Sequence, residues 1–437
     1  MEGPHDASVD QRRDYLYMCW HVGVREAGGA AGGGRGRARW LRRRARRGAG
    51  QGRLATQIEH ARQDARRGPN AKAALERLGY LHVSQARVTS DAGHYKLAEA
   101  VADCLQASYP GDAAALLLRG HVLHQLHRFK EAEQVARELV ARRTVVLDYG
   151  LLGDALMEQG RLAEAVAAYQ RMIDLKPFYQ SYTRAAHVRW MKGDLEGALG
   201  AMRRATESAS PRDPESSAWA WTRVALYELQ ANRLAGARRA ADAALTFEPE
   251  YAAALLARGR ILLAEGQRSD ALKALTHAAD LNPLPEYQWI LADALRASGR
   301  PVDAAAVERE LVARGTTSDP RTVALYLATR GENASTALSL AEAELGVRAD
   351  VFTLDAQAWA LAANGRTAQA RSVIARALAE GTEDGRLFLH AGIIHAGAGE
   401  RREAARWLQK ADRLRSMLLP SERTLLARQL NDRPHTN

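Results

Sequence analysis

The sequence predicts an all-α protein built from about ten antiparallel helix pairs, and three regularities predict it. An alanine recurs in one local setting at Ala98, Ala132, Ala165, Ala198, Ala237, Ala271, Ala304, Ala337, Ala370 and Ala404, at intervals of 33 or 34 residues with a single interval of 39. Five residues before it there is usually a glycine: Gly93, Gly160, Gly193, Gly266, Gly299, Gly365 and Gly399. Twelve before it stands a small residue (Gly120, Gly153, Ala186, Ala225, Gly259, Ala292, Ala358, Gly392), and twelve after it there is often a proline (Pro110, Pro177, Pro249, Pro283).

Each offset has a mechanical meaning. The glycine lets the chain turn between two helices, because it takes left-handed backbone angles without penalty. The small residue and the recurrent alanine fall on facing helices, where bulk would hold the backbones apart. The proline ends the second helix and makes the residue before it extended. One period is therefore a helix, a tight turn, a helix and a stop. Residues 147–177 are the clearest unit. The first helix carries Leu152, Ala155 and Leu156, and the second carries Leu162, Ala165, Val166, Tyr169, Met172 and Ile173. Spacings of three and four mark an amphipathic helix face.

This pattern resembles the tetratricopeptide-repeat (TPR) family. In the clearest unit the matching positions are Leu152, Gly153, Gly160, Ala165, Tyr169 and Pro177, with Leu156 and Met172 replacing a Tyr and an Ala. The resemblance implies a right-handed superhelical solenoid over 72–418. It is preceded by an Arg/Gly-rich tail at 1–53 and a leading helix at 54–71, and followed by a C-terminal capping helix and tail at 419–437. A cap is needed because a terminal repeat has no neighbour to cover its apolar face. Leu425, Leu426 and Leu430 supply that helix with one apolar side.

Three places depart from the pattern. The repeat of Ala337 has Leu325 at the small position and Glu332 at the turn, which predicts a distorted unit. The first pair has seven extra residues near 85–93, read as a longer hairpin loop. The interval of 39 contains residues 208–217, read as a surface loop.

Composition narrows function. The net charge is +11, but residues 35–53 hold nine arginines and no acid; without them the chain is only +2. A nearly balanced body gives no reason to expect nucleic acid on it. The Arg-rich, Lys-poor composition suggests GC-rich coding and a bacterial source. For the 1–53 segment three readings stand. It is an arm that neutralises phosphates, or a twin-Arg export signal at 12–20 with a short apolar stretch, or a solvated tail or misassigned start, which is the favoured reading. Low apolar content predicts that it is disordered. No apolar run reaches membrane-spanning length, and a cytoplasmic location is expected.

No phosphate-binding loop, nucleophile elbow or zinc-protease motif is present. No enzyme activity, metal or cofactor is expected. His121, His124 and His127 form an H-x-x-H-x-x-H run, but without a nearby Cys or Asp it is read as surface or groove histidines. Cys104 is read as a buried inert thiol.

The remaining candidate is the concave groove. The resemblance implies that first-helix positions line it. Those carried forward as partner-binding residues are His121, His124, Asp154, His187, Trp190, Trp219, Arg260, Trp289, Asp293, Arg296, Tyr326, Phe352, Asp355 and Trp359. Aromatics are only 6% of the chain, so their recurrence here points to interface anchors. The Lys/Asn clamp of TPR domains that hold chaperone tails is not matched: the pairs read Leu117/His121, Gly150/Asp154, Thr183/His187 and Leu256/Arg260. The expected function is a protein-interaction scaffold for a peptide or protein partner. The alternatives are a nucleic-acid adaptor acting through 35–53 and an envelope assembly factor. Replacing Trp190 and Trp289 together is expected to abolish capture without loss of helicity.

Overall fold

The structure is a computed structural model that describes residues 48–67, 70–89, 91 and 93–431. The arginine cluster before residue 48 and the twin-Arg pattern at 12–20 lie outside the described residues. The described residues divide into two compact units, those up to 156 and those from 157 onward. Among the described residues there are only helices and their connections, in all-α repeat architecture.

In the first unit the helices are α1 (Gly48–Arg67), α2 (Ala71–Thr89), α3 (Gly93–Ser108), α4 (Ala113–Gln125), α5 (Phe129–Arg142) and α6 (Val146–Glu158), inside which the division falls. Helix α1 starts at Gly48, within the stretch that composition assigns to the tail; a helix nucleated at Leu54–Arg67 extends cheaply. It places Ile58 and Ala61 against Leu78 of α2. Ala98, Ala102 and Leu105 of α3 pack with Leu118 and Val122 of α4. The extra residues of the first pair do not form a long hairpin loop. They lengthen α2, which runs through Thr89, and Thr89 Oγ1 donates to the Gln85 carbonyl (2.7 Å).

The second unit continues with α7 (Leu162–Leu175), α8 (Tyr179–Met191), α9 (Leu195–Ser208), α10 (Pro214–Gln230), α11 (Leu234–Phe247), α12 (Ala252–Ala264), α13 (Arg268–Leu281), α14 (Pro285–Ala297) and α15 (Pro301–Ser318). Then come α16 (Pro320–Arg330), α17 (Ala334–Val347), α18 (Val351–Ala363), α19 (Thr367–Leu378), α20 (Gly385–Gly397), α21 (Arg401–Arg413), a single 3-10 turn (Arg415–Met417) and α22 (Pro420–Asn431). Residues 208–217 form a shorter loop than expected. Asp213 caps α10 by accepting from Ser216 N (3.2 Å), and Pro214 opens the helix.

Nine of the ten recurrent alanines have no exposed surface, and Ala404 is 4% exposed. The small partners are equally constrained. A Cβ on Gly392 would lie 2.6 Å from Leu408 Cγ. The repeat of Ala337 is distorted as its sequence suggests: Gly331 (φ 66) and Asn333 (φ 47) flank Glu332 and make the turn, and Leu325 is buried where a small residue usually sits.

Successive pairs stack, and within the second unit the winding is tight enough that the chain meets itself. Ala349 N donates to the Glu158 carbonyl (3.0 Å), Thr382 Oγ1 to the Met191 carbonyl (2.7 Å) and Ser416 Oγ to the Leu229 carbonyl (2.9 Å). The partners of the second contact are 191 residues apart and those of the third 187. That is about six repeats of the family's ~34-residue period. Connections between late repeats thus dock, in register, on the helix ends of early ones. Gly160 and Gly193 show the constraint. Both have positive φ, 74° and 77°. A Cβ on Gly160 would strike the Ala349 carbonyl oxygen, and one on Gly193 would lie 2.7 Å from that of Gly381.

Candidate partner-binding groove

In the first unit, His121 and His124 lie on α4 and Asp154 on α6, all three half-buried. The His121 ring meets Tyr80 edge-on at 6.1 Å, and His124 meets Phe129 in the same way at 5.2 Å. His127 takes φ 59° at the turn position where other repeats carry glycine. Among the described residues no group of three or more His, Cys, Asp or Glu is placed to hold a metal ion.

In the second unit the aromatic positions turn inward. Trp190, on α8, is 8% exposed; its Nε1 donates to Gln230 Oε1 (2.7 Å) and its ring stacks on Phe352 of α18 (5.6 Å, 17°). His187 lies 5.6 Å from the same ring. Trp289, on α14, is 4% exposed, with Tyr326 edge-on at 6.1 Å and the Arg386 guanidinium 4.4 Å above its face. Asp355 and Trp359, one turn apart on α18, both hold His390 of α20. Asp355 Oδ1 is 2.9 Å from its Nδ1, and the indole stacks at 4.2 Å and 8°. Trp219 alone among these tryptophans is substantially exposed, at 37%.

The double replacement of Trp190 and Trp289 therefore removes core, and helicity will not be spared as expected. Truncating a buried tryptophan costs about 3–5 kcal/mol. The aromatic recurrence marks first-helix positions, but periodicity does not say whether such a position meets solvent, a neighbouring repeat or a distant part of the chain.

The polar groove positions behave differently. Arg260, on α12, donates from Nη2 to the Met417 carbonyl (2.9 Å). Asp293, on α14, accepts from Ser421 N (3.0 Å). Arg296 pairs with Glu308 (Nε–Oε1 2.7 Å). Burial pushes the Asp293 carboxyl above the usual carboxylate range, against the Ser421 hydrogen bonds. Arg386 and Glu422, which sequence reasoning missed, form an ion pair at 2.5 Å beneath the same segment. Arg386 keeps 29% of its side-chain surface, yet protein groups surround its charge. Burial raises the Glu422 carboxyl, but Arg386 and the Leu419 N–H outweigh that and hold it below its ordinary range. Nothing in the sequence pairs residues 36 positions apart. The one available signal was Glu422 two residues after Pro420, a helix-start pattern.

A cleft of about 430 Å³ opens between α11, α12 and α13, over Leu255 and Ile261. Four of its rim residues, Arg238, Arg258, Lys273 and His277, each face a carboxylate.

A family model described as "Tetratricopeptide repeat" matches residues 84–144, 149–180 and 256–319. The chain is a tetratricopeptide-repeat protein. TPR architecture is that of a protein–protein interaction scaffold in general. No curated protein matches the chain significantly in sequence. Solved structures similar to it include the APC/C hetero-tetramer Cut9-Hcn1, at 15% identity over 87% of this chain and 96% of that one, with a TM-score of 0.38. MamA gives 15% identity, 38% and 96% coverage, and a TM-score of 0.31. A TPR protein from Parabacteroides merdae gives 18%, 58% and 99%, and 0.33. Among the described residues no helix is long and apolar enough to cross a membrane.

Proposed function

We propose that this TPR protein is a scaffold, not an enzyme, and that it grips a segment of another protein on the face built by the first helices of its repeats. One observation carries the reading: Arg260 and Asp293, both at groove positions, hydrogen-bond to the main chain of Met417, in the link before α22, and of Ser421, in the first turn of that helix. A groove that holds a peptide uses the same contacts, because main-chain bonds supply affinity whatever the side chains are.

The test is affinity purification of the full-length chain from its native host, with Arg260→Gln as the control. A stoichiometric protein partner, lost in a variant of unchanged helicity, supports the reading. A partner that Arg260→Gln retains removes the groove from it. Recovery of nucleic acid alone, abolished by deleting 35–53, favours the arm instead.

A further inference from the structure

The segment held by Arg260 and Asp293 is the chain's own 414–423, made of the link from α21 (414–419) and the first turn of α22. We infer that the face formed by α10, α12 and α14 is a linear-peptide site occupied in cis by this segment, and that its ligand class is a peptide with two adjacent apolar side chains and a carboxylate three residues after the second. The inference rests on the groove reading above and deepens it.

Recognition runs along the segment. Ser416 Oγ donates to the carbonyl of Leu229 at the end of α10 (2.9 Å). The Met417 carbonyl accepts from Arg260 on α12 (2.9 Å). Leu418 and Leu419 are each 2% exposed. Leu418 joins the cluster of Phe388 and Leu408, and Leu419 joins the large core that includes Trp289. Ser421 N donates to Asp293 on α14 (3.0 Å). Glu422, 1% exposed, faces Arg386, and Arg423 Nη1 donates to the Leu263 carbonyl (3.3 Å).

Two features set this segment apart from an ordinary interhelical loop. Its main chain is read by charged side chains from two different repeats. Such side chains on the solenoid are costly to bury unless a partner satisfies them. Its contacts also differ from the alanine-lined packing between helix pairs: beside the buried Leu418 and Leu419 they are polar and charge-assisted, and those polar groups regain hydration when the segment leaves. A site satisfied this way exchanges one peptide for another more readily than an apolar core opens.

The test is fluorescence anisotropy with a labelled synthetic peptide of residues 413–424, titrated with the full-length protein. Ser421→Pro deletes the N–H that Asp293 reads, at a helix-start position where proline is tolerated. It weakens the cis occupant alone, so the peptide should bind the Ser421→Pro chain roughly tenfold more tightly than wild type. Ser416→Ala should act in the same direction with a smaller effect. A peptide with Pro at position 421 should bind either chain roughly tenfold more weakly than the unsubstituted peptide. If both variants keep wild-type helicity and neither takes up the peptide, the inference is wrong, and the segment is fixed core. Hydrogen exchange on the wild-type protein decides the case if the variants unfold. Amides of 416–421 should exchange by a local opening faster than the central amides of α12; exchange of both only through global unfolding overturns the inference. A host partner that is lost with Arg260→Gln while the peptide never binds leaves the scaffold reading standing and removes this one.

Discussion

The two units use one repeat grammar and put its first-helix positions to different use. In the first unit the equivalent residues are His121, His124 and Asp154, half-buried and flanked by neighbouring rings. In the second, Trp190, Trp289, Asp293, Tyr326, Asp355 and Trp359 are each at most 8% exposed, while His187, Arg260, Arg296 and Phe352 are half-buried and Trp219 is exposed. The second unit is long enough to wind back on itself, and its later repeats cover the inner positions of its earlier ones. A repeat motif therefore specifies how a helix pair nests; chain length and curvature decide what the inner face meets.

The largest expected effect breaks this comparison directly. Trp190→Ala should lower the stability of the second unit by about 3–5 kcal/mol, because it also orphans Gln230 Oε1, the acceptor of the indole N–H. His121→Ala in the first unit should cost well under half of that. Thermal unfolding followed by circular dichroism checks both, and equal losses would mean the inner faces are alike.

Acid should separate the units next. Burial, reinforced by the His94 charge, lowers the His82 imidazole to about 4. Between pH ~6.5 and ~4 the unfolded chain binds the proton and the folded chain does not, so stability falls as pH drops through that window. The loss approaches ~3 kcal/mol, and His82→Gln should remove it. Asp293 has the opposite sign: its raised carboxyl pKa means that folding is relieved, not penalised, as it protonates. Segment-resolved hydrogen exchange at pH 7 and pH 4.5 should show α2 and α3 loosening first.

A matched pair of glycines sharpens the role of winding. Gly160 and Gly266 occupy the same turn position with nearly the same φ, 74° and 79°. A Cβ on Gly266 meets nothing within 4 Å, whereas one on Gly160 strikes the Ala349 carbonyl. Gly266→Ala should cost about 1 kcal/mol from backbone strain alone, and Gly160→Ala at least about 2 kcal/mol. Denaturant midpoints read the excess, and equal costs would mean the winding contact contributes nothing. The smallest effect is His127→Gly, which relieves a left-handed non-glycine residue. It should stabilise the first unit by about 1 kcal/mol or less, since its stacking on Phe129 is lost in exchange.

The helix pairs, the burial of the recurrent alanines and the distorted turn near Gly331 were all legible, because each follows from residues within one period. The length of α2 was not. Residues 85–89 carry no helix-breaking signal, and a count of seven extra residues does not say whether helix or loop takes them up. At the groove, Arg260 and Asp293 were found by position. Arg386, His390 and Glu422 were not, since their partners come from other repeats.

By itself the sequence determined the repeat: a fixed spacing of small residues, turn formers and helix stops that lets helices nest in pairs. Such signals act over one period, so a linear reading captures them. Only the tertiary structure decided that α10, α12 and α14 close around Leu414–Arg423. That outcome depends on small rotations between repeats summed over about six of them, and no single residue encodes the sum.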